Sequence, residues 1–355
     1  GEAIWQAKLK CPNLVVVPPH YDQYMKFSKL AREIYGRYTD LIEPFGMDEV
    51  WADVTGSQRA MGTPLHMAEE IKKTITYELG LTVSIGVSFN KIFAKLGSDM
   101  KKPDAITVIN KETFREQIWN LPASDMLGVG RATEKKLSSV GIRTIGQIAQ
   151  YPCDYFQRKL GKCGVDLWRF ANGMDDSQVT VRDYEAPDKS VGHGMTAIQD
   201  LENDAEVWKF ILELCQDIGH RLYVFNKKAT GIAIAIRDNE LFTKQWQCAI
   251  PVPTQSPSSI AKEAFSLFLR SYDWKRPIRS LTVRAINLTS LDTPCQLDIF
   301  SDPVKVARAE ALDKTIEELR YRFGKKIIRN ACLLDNPKMS AHDNPDIIMP
   351  TGVPQ

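Results

Sequence analysis

KSVGHGMTAIQD, residues 189–200, opens the run on which the fold turns. VGHGMTAI reads as a strand, DAEVWKFILELCQDIGHRLY as a helix, TGIAIAI and FTKQWQCAI as two strands, SSIAKEAFSLFLRSY as a helix and IRSLTVRAINLTS as a last strand. That β-α-β-β-α-β order is the split βαβ pattern of ferredoxin-like sandwiches, which leave one sheet face open for binding. ALDKTIEELRYRFG adds a closing helix. Residues 336–355, with four prolines and little apolar pattern, are expected to form a mobile tail.

Towards the N-terminus, residues 181–188 are polar, contain a proline and lack apolar periodicity, so they read as a linker. LPASDMLGVGRATEKKLSSVGIRTIGQIAQYP, residues 121–152, consists of short helical pieces broken by Gly and Pro, and reads as a helical module. Residues 1–120 alternate the two periodicities. They give a helical AIWQAKLK, a strand-like NLVVVP, a long helix from Tyr21 to Tyr38, a strand VWADV, a helix MAEEIKKTITYEL and a strand TVSIGVS. The chain is therefore expected to be an α+β protein of several domains, and its 355 residues suit two or three.

With 43% hydrophobic and 25% charged residues, disordered and collagen-like classes are excluded. No run approaches the roughly 20 apolar residues of a membrane helix, and GEAIWQAKLKCPN lacks a secretory leader, so a cytoplasmic protein is expected. Seven scattered cysteines suit a reducing compartment. The five histidines have no zinc-site spacing, so any metal must be held by carboxylates. Lys and Arg number 46 against 44 Asp and Glu, yet the excess is local. Gly130–Phe170 holds eight basic residues against three acidic, LRYRFGKKIIRN (319–330) holds five and no acid, and Trp274–Arg284 adds four. Such stretches suit a phosphate backbone, where each cation gains from counterion release.

Three constellations carry chemistry. In EPFGMDEVWAD (43–53), Asp48 and Glu49 sit at a turn into a strand; hard Mg²⁺ takes one or two such carboxylates plus substrate phosphates, although a solvated turn would look the same. In SIGVSFNKIFAKLGSDMKKP (84–103), a strand, a turn and a helix precede Lys101 and Lys102, which could aim an ammonium at a triphosphate or merely complement a helix C-terminus. LGVGRATEKKL (127–137), followed by VGIRTIGQI, is a helix-hairpin-helix signature. Its Gly128-x-Gly130 turn would let backbone N–H groups approach a DNA phosphate, with Arg131 and Lys135 beside it.

In this order and at these intervals, the three motifs resemble the Y-family translesion DNA polymerases, most closely the bacterial DNA polymerase IV branch. The resemblance covers nearly all of residues 1–335. It implies a right-hand polymerase with the end of the fingers at 1–19, an incomplete palm at 20–118, a helix-hairpin-helix thumb at 119–180, the linker at 181–188 and a little finger at 189–335. It implies that Asp48 is a metal ligand, Glu49 the acidic group beside the primer 3′-hydroxyl and the catalytic metal, and Lys102 a triphosphate ligand. Gly128, Gly130, Arg131 and Lys135 would hold duplex DNA, as would Lys325 and Lys326 in the basic stretch. The implied activity is low-fidelity, template-directed DNA synthesis by a two-metal Mg²⁺ mechanism, carried out by a monomer acting on primer–template DNA and deoxynucleoside triphosphates in the bacterial nucleoid. The family's first palm motif, with its metal-binding Asp, and most of the fingers are expected to be absent from these residues, which puts the activity of the chain alone in question.

Gln296-Leu297-Asp298-Ile299-Phe300, bounded by Pro294 and Pro303, resembles the peptide by which bacterial polymerases dock on the sliding clamp. Gln296 would supply a hydrogen bond and Leu297, Ile299 and Phe300 apolar anchors; the alternative is an edge strand, which flanking prolines disfavour. Two other functions fit parts of the sequence. A catalytically silent adaptor for clamp and DNA would fit a missing first Asp, while a helix-hairpin-helix nuclease or glycosylase would leave the second palm motif and QLDIF unexplained.

Overall fold

The computed structural model describes residues 2–182, 184, 187–294, 303–324, 327–334 and 338–339, and the chain divides into two compact units after residue 186. In the first unit, α1 (Ile4–Lys10) is followed by residues 11–20 with neither helix nor strand. The strand expected across NLVVVP does not form: Val15 and Val17 are 80% and 72% exposed. Their β-branched side chains suit a pleated surface, but a strand without a described partner leaves its N–H and C=O groups to water. Helix α2 (Tyr21–Tyr35) stops short of Tyr38, with Gly36 as its cap.

Strands β1 (Ile42–Phe45) and β2 (Glu49–Ala52) form an antiparallel hairpin in which Phe45 faces Glu49 and Glu43 faces Trp51. Gly46 turns the chain with φ +78, a conformation that costs a residue without Cβ little. Strand β1 is not readable from sequence because Pro44 argues against a strand. In a two-stranded ribbon every strand is an edge, and the missing proline N–H is tolerated there.

After the short α3 (Gln58–Met61), helix α4 (Pro64–Leu79) starts on a Thr63 cap, where Oγ1 accepts from the His66 N–H at 3.2 Å, and stops at Gly80, φ +67. Strand β3 (Ile85–Ser88), helix α5 (Lys91–Met100) and strand β4 (Ile106–Ile109) make a βαβ unit with β3 and β4 parallel. Asn90 caps α5 through the Phe93 N–H at 2.8 Å. Gly86 on β3 lies so close to α5 that a Cβ would stand 1.8 Å from the Ala94 carbonyl oxygen, and Gly97 meets it from the helix side. Phe93 and Leu96 of α5 join Ile109, then Phe114 and Ile118 of α6 (Phe114–Ile118), in a buried core.

That core runs on into α7 (Arg131–Ser138), α8 (Ile145–Gln150) and α9 (Cys153–Ala171) through Leu137, Ile145, Ile148, Phe156 and Leu167. Helix α8 begins with a capping box, in which Thr144 Oγ1 accepts from the Gln147 N–H while Gln147 Oε1 accepts from the Thr144 N–H. Helix α9 breaks at Gly161, φ +63.

The second unit is the β-α-β-β-α-β run: β5 (Ser190–Leu201), α10 (Asp204–Val224), β6 (Lys227–Asp238), β7 (Thr243–Thr254), α11 (Pro257–Ser271) and β8 (Ile278–Ser290), followed by α12 (Pro303–Phe323). Its sheet, ordered β5-β8-β6-β7, is antiparallel throughout. Alternate residues Ile232, Ile234, Ile236, Leu281, Val283 and Ala285 bury against Phe210, Leu214 and Ile218 of α10 and Ile260, Ala264 and Phe268 of α11. Within the expected tail, Lys338 is held: its ammonium donates to the Asp200 carbonyl oxygen and a Glu206 carboxylate oxygen, both at 2.9 Å. His220 meets Glu317 of α12 at 2.7 Å.

Candidate functional site

The turn of the β1–β2 hairpin carries the acidic pair. Asp48 is exposed in the turn and Glu49 is half-buried at the first position of β2. Helix α2 fixes the turn from one side, with Ser28 Oγ donating to the Met47 carbonyl and Arg32 Nη2 donating to Ser28 Oγ at 3.3 Å. Burial, and then the nearby Asp48 charge, push the Tyr35 phenol above its ordinary range.

Helix α5 supplies the opposite wall. Lys95 Nζ donates to Glu49 Oε1 at 2.9 Å and to Asp99 Oδ2 at 2.7 Å, and Lys102 Nζ reaches Asp99 Oδ1 at 2.7 Å. Glu49, Lys95, Asp99 and Lys102 thus form one chain of alternating charge joining the two motifs. Burial works against the Lys95 charge, but Asp99 and Glu49 outweigh it and hold the ammonium above the usual lysine range. Burial would lift Asp99, whereas Lys102 and Lys95 bring it below the usual carboxylate range. One turn earlier on α5, Lys91 Nζ meets Glu43 Oε2 at 2.7 Å and lies 5.1 Å from the Trp51 ring centre.

The turn before α7 divides its labour. Gly128 has φ +92, and a Cβ there would meet Leu167 at 3.2 Å, whereas a Cβ on Gly130 would meet nothing within 4 Å. Gly130 caps α7 in extended conformation, and Arg131 and Lys135 are exposed. The N–H groups of the first helical turn have no carbonyl within their own helix, which favours an anion at that end. A second glycine turn at Gly161 is flanked by exposed Arg158, Lys159 and Lys162.

On the sheet of the second unit, register puts Gly192, Arg284, Ala233 and Gln247 in one row and Gly194, Thr282, Ala235 and Gln245 in the next, on the face away from the core residues. A Cβ on Gly192 would lie 2.6 Å from Arg284 Cγ, so glycine there lets the arginine stem cross the strand.

Residues 1–99 match the model of the impB/mucB/samB family, 188–299 that family's C-terminal domain, and 124–175 the thumb domain of DNA polymerase iota. DNA polymerase IV of Acetivibrio thermocellus is 46% identical over 336 residues, spanning 95% of this chain and 84% of that protein. DNA polymerase IV 2 of Bacillus subtilis is 34% identical over 340 residues, spanning 93% and 81%. The chain belongs to the DNA polymerase IV family. A Y-family DNA polymerase chimera, Dbh-Dpo4(243-245)-Dbh, superimposes with a TM-score of 0.70 at 22% identity over 82% of this chain and 83% of that one, so the multi-domain α+β polymerase fold is shared.

DNA polymerase IV enzymes are DNA-directed DNA polymerases, and Y-family polymerases generally depend on divalent metal. The donors present fit one such ion: Asp48 and Glu49 are hard oxygen ligands, the one or two carboxylates that Mg²⁺ takes beside substrate phosphates. Among the described residues no group of three or more His, Cys, Asp or Glu could hold a metal. None of the described helices is long and apolar enough to cross a membrane.

The structure brings Glu49 and Lys102 into one network through Lys95 and Asp99, two residues to which the sequence motifs assign no role. Their spacing, i,i+4 and then i,i+3, is the available signal. The Gly161 turn was also missed; Leu160-Gly161 repeats Leu127-Gly128. Lys325, Lys326 and the whole of Gln296–Phe300 lie outside the described residues.

Proposed function

We propose that this chain performs template-directed, low-fidelity DNA synthesis past damaged bases on primer–template DNA in the bacterial nucleoid, as a Mg²⁺-dependent monomer. The observation carrying this reading is the Glu49–Lys95–Asp99–Lys102 chain, which joins a carboxylate pair suited to a hard cation to a lysine suited to a triphosphate. The proposed anatomy is fingers end 1–19, palm 20–118, thumb 119–180, linker 181–188 and little finger 189–335, with 336–355 as a tail.

Asp48 and Glu49 would hold the cation, which when bound supplies Lewis-acid activation of the primer 3′-hydroxyl and charge relief at the triphosphate. Glu49 would orient that hydroxyl. Lys102 would neutralise the triphosphate and align its phosphorus for in-line attack, the positioning that phosphoryl transfer chiefly requires. The N–H groups after Gly128 and Gly130, with Arg131 and Lys135, would grip backbone phosphates of the duplex. Small residues on the open sheet face would let a duplex approach, and Arg284 would meet phosphate there. All these contacts are blind to sequence and steep in salt.

Primer extension on undamaged and abasic templates, with Mg²⁺ and four deoxynucleotides, tests the reading. Nucleotide-dependent extension on both supports it. Firm DNA binding without extension would favour the adaptor, and DNA hydrolysis without nucleotide consumption would favour a nuclease.

Two further outcomes are expected. Replacing Lys325 and Lys326 with Ala should flatten the dependence of log Kd on log salt by about 1 for each phosphate left without its cation, measured by fluorescence anisotropy; an unchanged slope would make that stretch a solvated face. We also propose that Gln296–Phe300 docks on the sliding clamp. Replacing Gln296, Leu297 and Phe300 with Ala should abolish clamp binding in a pull-down with purified clamp while leaving unassisted extension intact, and unchanged clamp affinity would sink this assignment.

A further inference from the structure

We propose that Asp99 is a positioning residue that couples the two ends of the reaction centre, holding Glu49 through Lys95 and aiming Lys102 at the triphosphate. The inference rests on the polymerase reading and deepens it. Asp99 lies in the last turn of α5, where one oxygen takes the Lys95 ammonium at 2.7 Å and the other takes Lys102 at 2.7 Å. Lys95 is the most enclosed member, with 16% of its side chain exposed against 36% for Glu49, 40% for Asp99 and 55% for Lys102. A half-buried ammonium held between two carboxylates has little freedom to leave either, so the position of Glu49 is tied to that of Asp99.

Lys102 is different. It follows the end of α5, on a segment whose cap residue Lys101 is already extended, and its long stem has many rotamers in water. The Asp99 contact selects among those rotamers before a nucleotide arrives, which lowers the ordering cost of binding. Both lysines depend on one carboxylate whose two oxygens are divided between them, so removing it should disturb nucleotide binding and chemistry together. Removing Lys95, which pairs with Glu49 and Asp99 and is not assigned to the triphosphate, should disturb chemistry alone.

The test uses the full chain on primer–template DNA, with two readouts: dATP affinity in Ca²⁺, followed by fluorescence of a labelled template, and kcat and KM for extension in Mg²⁺. Asp99→Ala is expected to weaken dATP binding and lower kcat, each by about 10–100-fold, the usual effect of removing a group that orients a ligand. Lys95→Ala should lower kcat with dATP affinity held within about twofold, and Lys95→Arg should restore most of the activity. In a Lys102→Ala background, Asp99→Ala should weaken dATP no further, because its effect on binding runs through Lys102.

Circular dichroism and DNA affinity verify that each variant is folded, and Asp99→Asn, nearly isosteric, is a second route to the same defect. Equal dATP affinity in wild type and Asp99→Asn, or full additivity with Lys102→Ala, would overturn the coupling. A wild-type chain that neither binds dATP on primed DNA nor extends the primer would instead defeat the polymerase reading beneath it.

Discussion

Asp48→Ala should cut primer extension by about 10³-fold or more while primer–template affinity stays within about twofold. The carboxylate sits exposed in a hairpin turn, outside the buried cores formed by the described residues, so its removal should cost the fold no more than about 0.5 kcal/mol. DNA affinity belongs in this reading to residues of the thumb turn and of the open sheet face, and Asp48 is not one of them. What disappears is a ligand for the cation, worth several kcal/mol of transition-state stabilisation; about 4 kcal/mol corresponds to roughly 10³ in rate. Glu49→Gln should fall as far but with a second signature, because it keeps the shape of the Glu49 side chain while weakening its grip on Lys95. Single-turnover extension beside anisotropy on the same preparations makes the measurement. Extension within tenfold of wild type for both variants would remove the active-site assignment.

How much of this could be read without coordinates depends on the range of the signal. The β-α-β-β-α-β order was legible because each of its strands is long and each helix strongly periodic, so local pattern and tertiary role agree. Strand β1 was not, since Pro44 is a local argument against a strand, overridden because β1 pairs on one side only among the described residues. NLVVVP failed in the opposite direction: its residues favour a strand, but pairing is a property of two segments, and no described strand pairs with this one. At the site, Asp48, Glu49 and Lys102 were named from motifs, whereas Lys95 and Asp99 were not. Sequence puts Lys95 on the α5 surface, and only the seating of α5 on β3 decides that this surface faces Glu49 and not water.

That seating is why Gly86→Ala should be the most damaging single methyl in the first unit. The added carbon would stand 1.8 Å from the Ala94 carbonyl oxygen, 2.6 Å from the Ser98 nitrogen and 2.8 Å from the Ala94 carbonyl carbon, all backbone atoms without a rotamer to retreat into. Relief requires α5 to lift off β3, exposing Phe93 and Leu96, and we expect a destabilisation of about 3–5 kcal/mol. In a scanning calorimeter the first unit's transition should fall by about 10 °C while that of the second unit holds. Gly97→Ala, on the facing helix surface, is the control. Its Cβ would meet Gly86 Cα at 3.3 Å and Ile109 Cδ1 and the Thr107 carbonyl oxygen at 3.4 Å, tight but negotiable, and alanine returns about 1 kcal/mol of helix propensity. The pair should therefore differ sharply although each adds one methyl at the same crossing. An unchanged transition for Gly86→Ala would mean that α5 does not rest on β3 there, and with it would go the placement of Lys95 against Glu49.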